Sequence, residues 1–144
     1  MRRKEAIETL VDCFIGREKK PFVISSTGLM SRELYNYQDQ SEFFYMTGSL
    51  GLASSIALGV AISKPGKRVV AIDGDAALLL NMGSLATIAH FAPKNLIHIL
   101  LDNGSYGSCS EEPSFSQTVD LREMAVTAGY PLTARVKDEE TLFS

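Results

Sequence analysis

Two stretches of this chain end an aliphatic run in oxygen-bearing side chains. Val69-Val70-Ala71-Ile72-Asp73-Gly74-Asp75-Ala76-Ala77 stops at Gly74-Asp75, and Ile97-His98-Ile99-Leu100-Leu101-Asp102-Asn103-Gly104-Ser105-Tyr106-Gly107 stops at Asp102-Asn103. Both runs read as buried strands. Asp75 and Asn103 lie 28 residues apart, which accommodates strand, helix and strand. In a parallel sheet this spacing sets both side chains on one edge, where ligands bind. Either residue alone reads as a turn or helix-cap residue. Together they point to magnesium, a hard cation that takes about six oxygens and commonly shares them with phosphate. Asp75 would supply charge, Asn103 an amide oxygen and Ser105 a backbone carbonyl. The N–H groups of Ala76 and Ala77, opening a helix, would face the phosphates.

The elements that must hold these residues follow in order. Residues 3–16 read as an amphipathic helix through Ala6, Ile7, Leu10, Val11 and Phe14, with Gly16 as its stop. Phe22-Val23-Ile24-Ser25 is a strand closed by Ser26-Thr27-Gly28, and Ser31 caps a short helix. Residues 42–46 form a second strand, broken at Thr47-Gly48-Ser49-Leu50-Gly51. The small residues from Ala53 to Ala61 predict a helix that packs closely. Pro65-Gly66-Lys67 turns the chain into the central strand. Residues 78–92 read as a helix divided at Gly83-Ser84, and Pro93-Lys94-Asn95 leads into the strand of the second run. A polar loop covers 108–116, Asp120 caps a helix that Gly129 closes, and Ala134-Arg135-Val136 reads as a fifth strand. Asp138 reads as a further helix cap.

Strand–helix alternation with apolar strands predicts an α/β domain, a doubly wound parallel sheet with helices on both faces. Thr27-Gly28, Gly48-Ser49, Gly74-Asp75 and Asp102-Asn103 would all converge on one edge. The totals agree with one soluble domain over 1–144: 45% apolar residues, 22% charged and a net charge of −3. That charge argues against a nucleic-acid surface, and no apolar run is long enough for a membrane span. Cys13 and Cys109 lack metal-ligand spacing, and a reduced cytoplasmic setting is expected. His90 and His98 read as structural, and Arg2, Arg3 and Lys4 as a solvated helix start. The absence of Gly-x-Gly-x-x-Gly between strand and helix argues against a dinucleotide-binding domain.

Gly74-Asp75-Ala76 followed after 25 residues by Asp102-Asn103 resembles the diphosphate-binding motif of the thiamine-diphosphate enzymes. The decarboxylases of sulfopyruvate (beta subunit) and phosphonopyruvate are the most similar group. Thr27-Gly28 through Ser31-Arg32-Glu33-Leu34, Tyr45 through Gly51, Gly83 through Ile88 and Leu101 through Ser108 all fit that group. The resemblance implies thiamine diphosphate and Mg2+ as cofactors, with the metal on Asp75, Asn103 and the Ser105 carbonyl. Thr27, Gly28, Gly74, Ala76 and Ala77 would contact the diphosphate, with Ser49 and Tyr106 also at the cofactor. The Gly48 carbonyl would accept from the aminopyrimidine amino group, and Leu50 would hold the cofactor bent. The implied reaction decarboxylates an anionic 2-oxo acid, sulfopyruvate or 3-phosphonopyruvate, to an aldehyde and CO2.

Three departures stand out. Ala76 replaces a family glycine and fits only with a negative φ. Ser108-Cys109-Ser110-Glu111-Glu112 replaces a Ser-Thr-Gly-Gly-Gln loop, which bears on substrate preference; Cys109 reads as a substituted loop residue, not a nucleophile. The family domain also continues with a helix and a strand after the point matching residue 144, so the chain reads as C-terminally shortened. No stretch resembles the pyrimidine-binding domain, whose glutamate activates the cofactor. The expectation is therefore no catalytic residue in this chain, an alpha-type pyrimidine-binding partner, and an oligomer. The competing expectation is a silent cofactor- or partner-binding remnant of such an enzyme. Arg32 and Arg122 are candidate cations for a substrate anion, unplaced by sequence.

Overall fold

A computed structural model describes residues 1–15, 19–107 and 109–138. The elements run α1 (Arg3–Ile15), β1 (Phe22–Ser25), α2 (Leu29–Tyr37), β2 (Phe43–Tyr45), α3 (Ala53–Ser63), β3 (Val69–Gly74), α4 (Asp75–Leu80), α5 (Gly83–Phe91), β4 (Leu96–Leu101) and α6 (Leu121–Ala128). The four strands pair in the order β2-β1-β3-β4, all parallel. The chain winds one way from β1 to β2 and the other way from β3 to β4. The winding therefore reverses between β1 and β3, and a crevice opens at the carboxyl ends of strands on either side of such a point. Thr27-Gly28 follows β1 and Gly74-Asp75 closes β3, so both border it.

β3 is buried on both faces, which is why it reads as an unbroken apolar run. Val23, Val70 and Ile72 meet Ile7, Leu10, Val11 and Phe14 of α1 and Met30 and Leu34 of α2 on one face. Ile24, Val69 and Ala71 meet Ala53, Ala57 and Ala61 of α3 on the other. Alanines at every fourth position of α3 leave no bulk between helix and sheet, as its small-residue run predicts. Leu78, Leu85 and Leu121 form a third cluster that joins α4, α5 and α6 to Leu100 of β4. The doubly wound expectation is met.

Four local expectations need correction. Ser31 does not cap α2; the N-cap is Gly28, at φ +88°. Ser31 is buried instead, and its hydroxyl donates to the Ser26 carbonyl at 2.8 Å, tying α2 to the turn after β1. The helix after β3 begins at Asp75, ahead of residue 78, and breaks at Asn81 and not at Gly83-Ser84. Asn81 leaves the helical register because its amide donates to the Gly51 carbonyl at 3.0 Å. Ala134-Arg135-Val136 forms no strand. Arg135 is drawn to the cap of α6 by an ion pair with Asp120 at 2.6 Å, and Val136 stays exposed. Finally, Arg3 is not a solvated end: its side chain is only 25% exposed and pairs with Glu33. Arg2 and Lys4 are solvated, at 87% and 71%. Asp120 and Gly129 cap α6 as expected. Gly16, Ser108 and residues 139–144 beyond Asp138 lie outside the described residues.

Candidate functional site

Asp75 opens α4 directly from β3 and is 2% exposed. Its Oδ2 accepts from the Ser114 hydroxyl, and the Ser116 hydroxyl lies 3.2 Å away. Ser116 has one proton, and its shorter contact is Asp102 Oδ1 at 2.8 Å. Ser114 thus serves Asp75 while Ser116 serves Asp102. Asp102 also accepts the Gly104 N–H at 3.0 Å, which shapes the turn after β4.

The other oxygen of Asp75 faces Asn103. The Asn103 amide oxygen lies 3.2 Å from Asp75 Oδ1 and 2.9 Å from the Ser105 carbonyl oxygen. The same oxygen accepts the Ser105 N–H at 3.3 Å, so it has one donor and two crowding acceptors. Rotating the amide by half a turn would replace that oxygen with a nitrogen that donates to both neighbours. Rotated, the amide ties Asp75 to the loop with no ligand present; unrotated, its oxygen stands beside Asp75 Oδ1 and the Ser105 carbonyl, the kind of set a hard cation takes. Adjacent ligands of an octahedral magnesium, with bonds of about 2.1 Å, lie about 3 Å apart. The observed separations match that spacing.

The segment that carries Ser105 is stitched to itself. Tyr106 N–H donates to the Glu112 carbonyl at 2.8 Å and Ser114 N–H to the Gly104 carbonyl at 2.9 Å. Gly104 sits at φ +69° and Glu111 at +57°, the two left-handed residues that close this loop. Gly107 lets the loop approach Asn103, since a Cβ there would come within 3.1 Å of the amide nitrogen.

One cavity gathers most of the expected site. Thr27, Leu50, Gly74, Asp75, Ala76, Ala77, Asn103, Ser105 and Tyr106 all line it. Gly28 lines an adjoining hollow with Arg32, Gly107, Cys109, Ser110 and Glu111. Gly48 and Ser49 line neither; both are exposed in the loop that carries Leu50. That loop is held by Ser49 at φ +60° and Gly51 at +91°. A Cβ on Gly51 would fall 2.9 Å from the Ala77 carbonyl oxygen, so the loop packs directly on the main chain of α4. Leu50 is 38% exposed at the cavity mouth, next to exposed Leu52 and Leu80. Ala76 lies in regular helix with no positive φ, which meets the condition set by its replacing glycine. Arg122 lines neither hollow and pairs with Glu123 on α6.

Four contributors escape sequence reasoning. Ser114 and Ser116 sit in a stretch whose polarity marks only a loop. Ser26 lines the cavity at 1% exposure, and its hydroxyl has no partner among the described residues. Arg3 lines the cavity from the start of α1. Its Nε and Nη2 each donate to Glu33 at 2.8 Å. Those bonds are the main reason its proton is held more tightly than usual, against the opposing effect of burial. Arg3 and Glu33 are 30 residues apart, and only the packing of α1 on α2 joins them.

His98 lies in β4 and lines neither hollow. Its Nδ1 lies 3.2 Å from the Tyr130 hydroxyl, and its Nε2 is 3.7 Å from Asp73 Oδ2, too long for a hydrogen bond.

A parallel sheet with an oxygen-rich cluster in a crevice at its winding reversal defines a class of cofactor-binding domain. The family profile "Thiamine pyrophosphate enzyme, C-terminal TPP binding domain" matches residues 24–143, and the chain belongs to that family. Among individual relatives, it is 42% identical over 130 residues to sulfopyruvate decarboxylase subunit beta of Methanothermobacter thermautotrophicus, covering 90% of this chain and 68% of the relative. It is 46% identical over 108 residues to phosphonopyruvate decarboxylase of Streptomyces hygroscopicus, covering 75% of this chain and 27% of the relative. The chain thus spans about a quarter of the phosphonopyruvate enzyme. A solved structure assigned to a thiamin diphosphate-dependent enzyme from Mycobacterium smegmatis shares the fold, with TM-score 0.69 and 19% identity over 90% of this chain and 25% of the other. Among the described residues, no helix is long and apolar enough to cross a membrane.

Proposed function

We propose that this chain is the diphosphate-binding half of a magnesium- and thiamine-diphosphate-dependent decarboxylase acting on an anionic 2-oxo acid, sulfopyruvate or 3-phosphonopyruvate. The observation that carries the reading is the convergence of Asp75, Asn103 and Ser105 on one cavity at the carboxyl ends of β3 and β4. Each can offer an oxygen ligand, the chemistry magnesium prefers, with the Asn103 amide turned oxygen-in. Asp75, Asn103 and Ser105 would hold it. Gly74, Ala76, Ala77 and Thr27 would border the diphosphate, with Gly28 at its edge, and Tyr106 would close the cavity. Leu50 would support the cofactor from the mouth, with Gly48 and Ser49 in the loop that presents it.

Bound thiamine diphosphate supplies the electron sink that lets a 2-oxo acid lose CO2. The chain's own residues bind, orient and enclose. The cavity lining among the described residues includes one carboxylate, Asp75, which the metal would occupy. A base for cofactor activation is therefore assigned to an alpha-type pyrimidine-binding partner. The exposed Leu50, Leu52 and Leu80 at the cavity mouth give that partner an apolar surface. The assembly would be oligomeric and cytoplasmic, with no nucleic acid or membrane involved.

A second reading rests on the adjoining hollow. Glu111 lines it opposite the cation Arg32 and would repel an anionic substrate, which favours a silent cofactor-binding remnant. Calorimetry with thiamine diphosphate should show binding that requires Mg2+ and weakens at least tenfold in Asn103→Leu, which lacks the ligand oxygen. Absence of binding with partner present would defeat the cofactor reading. Release of CO2 from sulfopyruvate or 3-phosphonopyruvate by the assembled protein separates enzyme from remnant. Turnover by the chain without partner would defeat the half-site assignment.

A further inference from the structure

We infer that Arg3 is an oxyanion-binding side chain of the cavity, aimed by Glu33 and backed by the Ser26 hydroxyl. The assignment rests on the cofactor reading above and deepens it, because that reading gives Arg3 no role. Arg3 is the only cationic side chain lining the cavity among the described residues. Glu33 takes Nε and Nη2, which fixes the plane of the guanidinium and leaves Nη1 on the Gly107 side. A Cβ built on Gly107 would lie 3.6 Å from Nη1, so the glycine keeps that nitrogen close to the loop bordering both hollows. A bidentate pair of this kind spends little further side-chain entropy when a third partner arrives.

Ser26 is the second, independent observation. Its hydroxyl is buried in the same cavity lining without a partner, and buried hydroxyls are normally satisfied. A ligand oxygen would satisfy it. The cavity thus presents a fixed cation and an unfilled donor on top of the oxygen cluster at Asp75. That set suits a phosphoryl, sulfonyl or carboxylate oxygen. Two sources bring such oxygens to the cavity, the terminal phosphate of the cofactor and the acid group of the substrate.

The test uses the protein in its native assembly, with Arg3→Gln, Arg3→Lys, Glu33→Gln and Arg2→Gln. Arg2 is 87% exposed and one position away, so its variant removes the same charge without touching the cavity. Two affinities are measured by calorimetry. The first is for magnesium thiamine diphosphate. The second is for 3-sulfolactate on the loaded protein, an acid with no keto carbon to react. Arg3→Gln is expected to weaken one of them about tenfold or more, the loss typical of a charge-assisted hydrogen bond. Loss in the first identifies the cofactor phosphate, and loss in the second identifies the substrate acid. Glu33→Gln should weaken the same affinity by less, marking it as a positioning residue. Arg2→Gln should change neither. The assignment is overturned if folded Arg3→Gln matches the unsubstituted protein in both affinities, or falls no further than Arg2→Gln. Arg3→Lys, which keeps the charge, should lose less than Arg3→Gln; if Arg3→Gln does not fold, the double variant Arg3→Gln/Glu33→Gln, which removes the pair together, decides, and unchanged affinities there overturn the assignment too. Failure of the unsubstituted protein to bind thiamine diphosphate would overturn the cofactor reading itself, and this assignment with it.

Discussion

Gly51 and Gly48 belong to the same loop and should respond oppositely to alanine. Gly51 sits at φ +91°, and an added Cβ would fall 2.9 Å from the Ala77 carbonyl oxygen, 3.3 Å from Asn81 Cβ and 3.4 Å from Leu80 Cβ. The nearest of these is main chain and cannot rotate away. Left-handed backbone costs an alanine about 1–2 kcal/mol, and crowding against packed structure about 1–3 kcal/mol more. Gly51→Ala should therefore destabilise by about 3 kcal/mol. A chain of 144 residues moves its midpoint by ~3 °C per kcal/mol, so the expected fall is ~10 °C. Gly48 meets nothing within 4 Å and lacks a positive φ. Gly48→Ala should shift stability by less than about 0.5 kcal/mol. Thermal and urea unfolding of both variants, followed by far-UV circular dichroism, measures the difference. Equal costs for the two, or a Gly51→Ala midpoint within 2–3 °C of the unsubstituted protein, would refute the argument that α4 seats this loop through its main chain. If Gly48→Ala keeps its stability but loses cofactor affinity, the glycine serves the ligand and not the fold.

Two further outcomes follow from the site and from the phenols. Ser114→Ala removes the hydroxyl that serves the buried Asp75 carboxylate and should cost ~1.5–3 kcal/mol in urea unfolding, whereas Ser116→Ala, whose hydroxyl favours Asp102, should cost less. Burial and the Asp39 carboxylate push the Tyr45 phenol up to about 12, and burial pushes Tyr130 up as well. A phenol with a raised value binds its proton more tightly when folded. Its contribution is intact below the unfolded value of ~10 and is lost as pH rises through the folded value. Midpoint temperature should thus be insensitive to these two groups up to about pH 10 and then fall toward pH 12, and a fall beginning near pH 8 would contradict it.

Much of the frame is legible because a strand buried on both faces must be continuously apolar, as β3 is over Val69–Ile72; β4 read as buried too, yet it is the edge strand and only half-buried, with Ile97 exposed. Asp75, Asn103 and Ser105 follow from where those runs stop, and the parallel pairing brings the three together. Interactions decided by packing left no mark in sequence. Ser114 reaches Asp75 across 39 residues, and nothing local distinguishes it from the loop serines near it. Arg3 looks like any basic residue at a helix start until α1 lies on α2. Gly51 reads as one more loop glycine, though its backbone is the one pressed against α4. The missing fifth strand failed for a related reason. A three-residue β-prone stretch has little ladder to gain, and Arg135 finds a carboxylate at the α6 cap instead.

The stitched loop after β4 separates two kinds of change. The Tyr106–Glu112 and Ser114–Gly104 bonds pin its base, and Ser114 ties that base to Asp75. Ser110 and Glu111 lie beyond the pins, in the outer hollow, while Cys109 borders both hollows. Side-chain changes at Ser110 and Glu111 face the outer hollow, whereas the Cys109 and Glu111 N–H groups bond the Tyr106 carbonyl, one residue from Ser105. Side chains at Ser110 and Glu111 can accordingly change while the backbone bonds to Tyr106 keep the base of the loop in place. A chain built this way can drift in preference without first losing its cofactor, which makes the loop a place for gradual specialisation within the family.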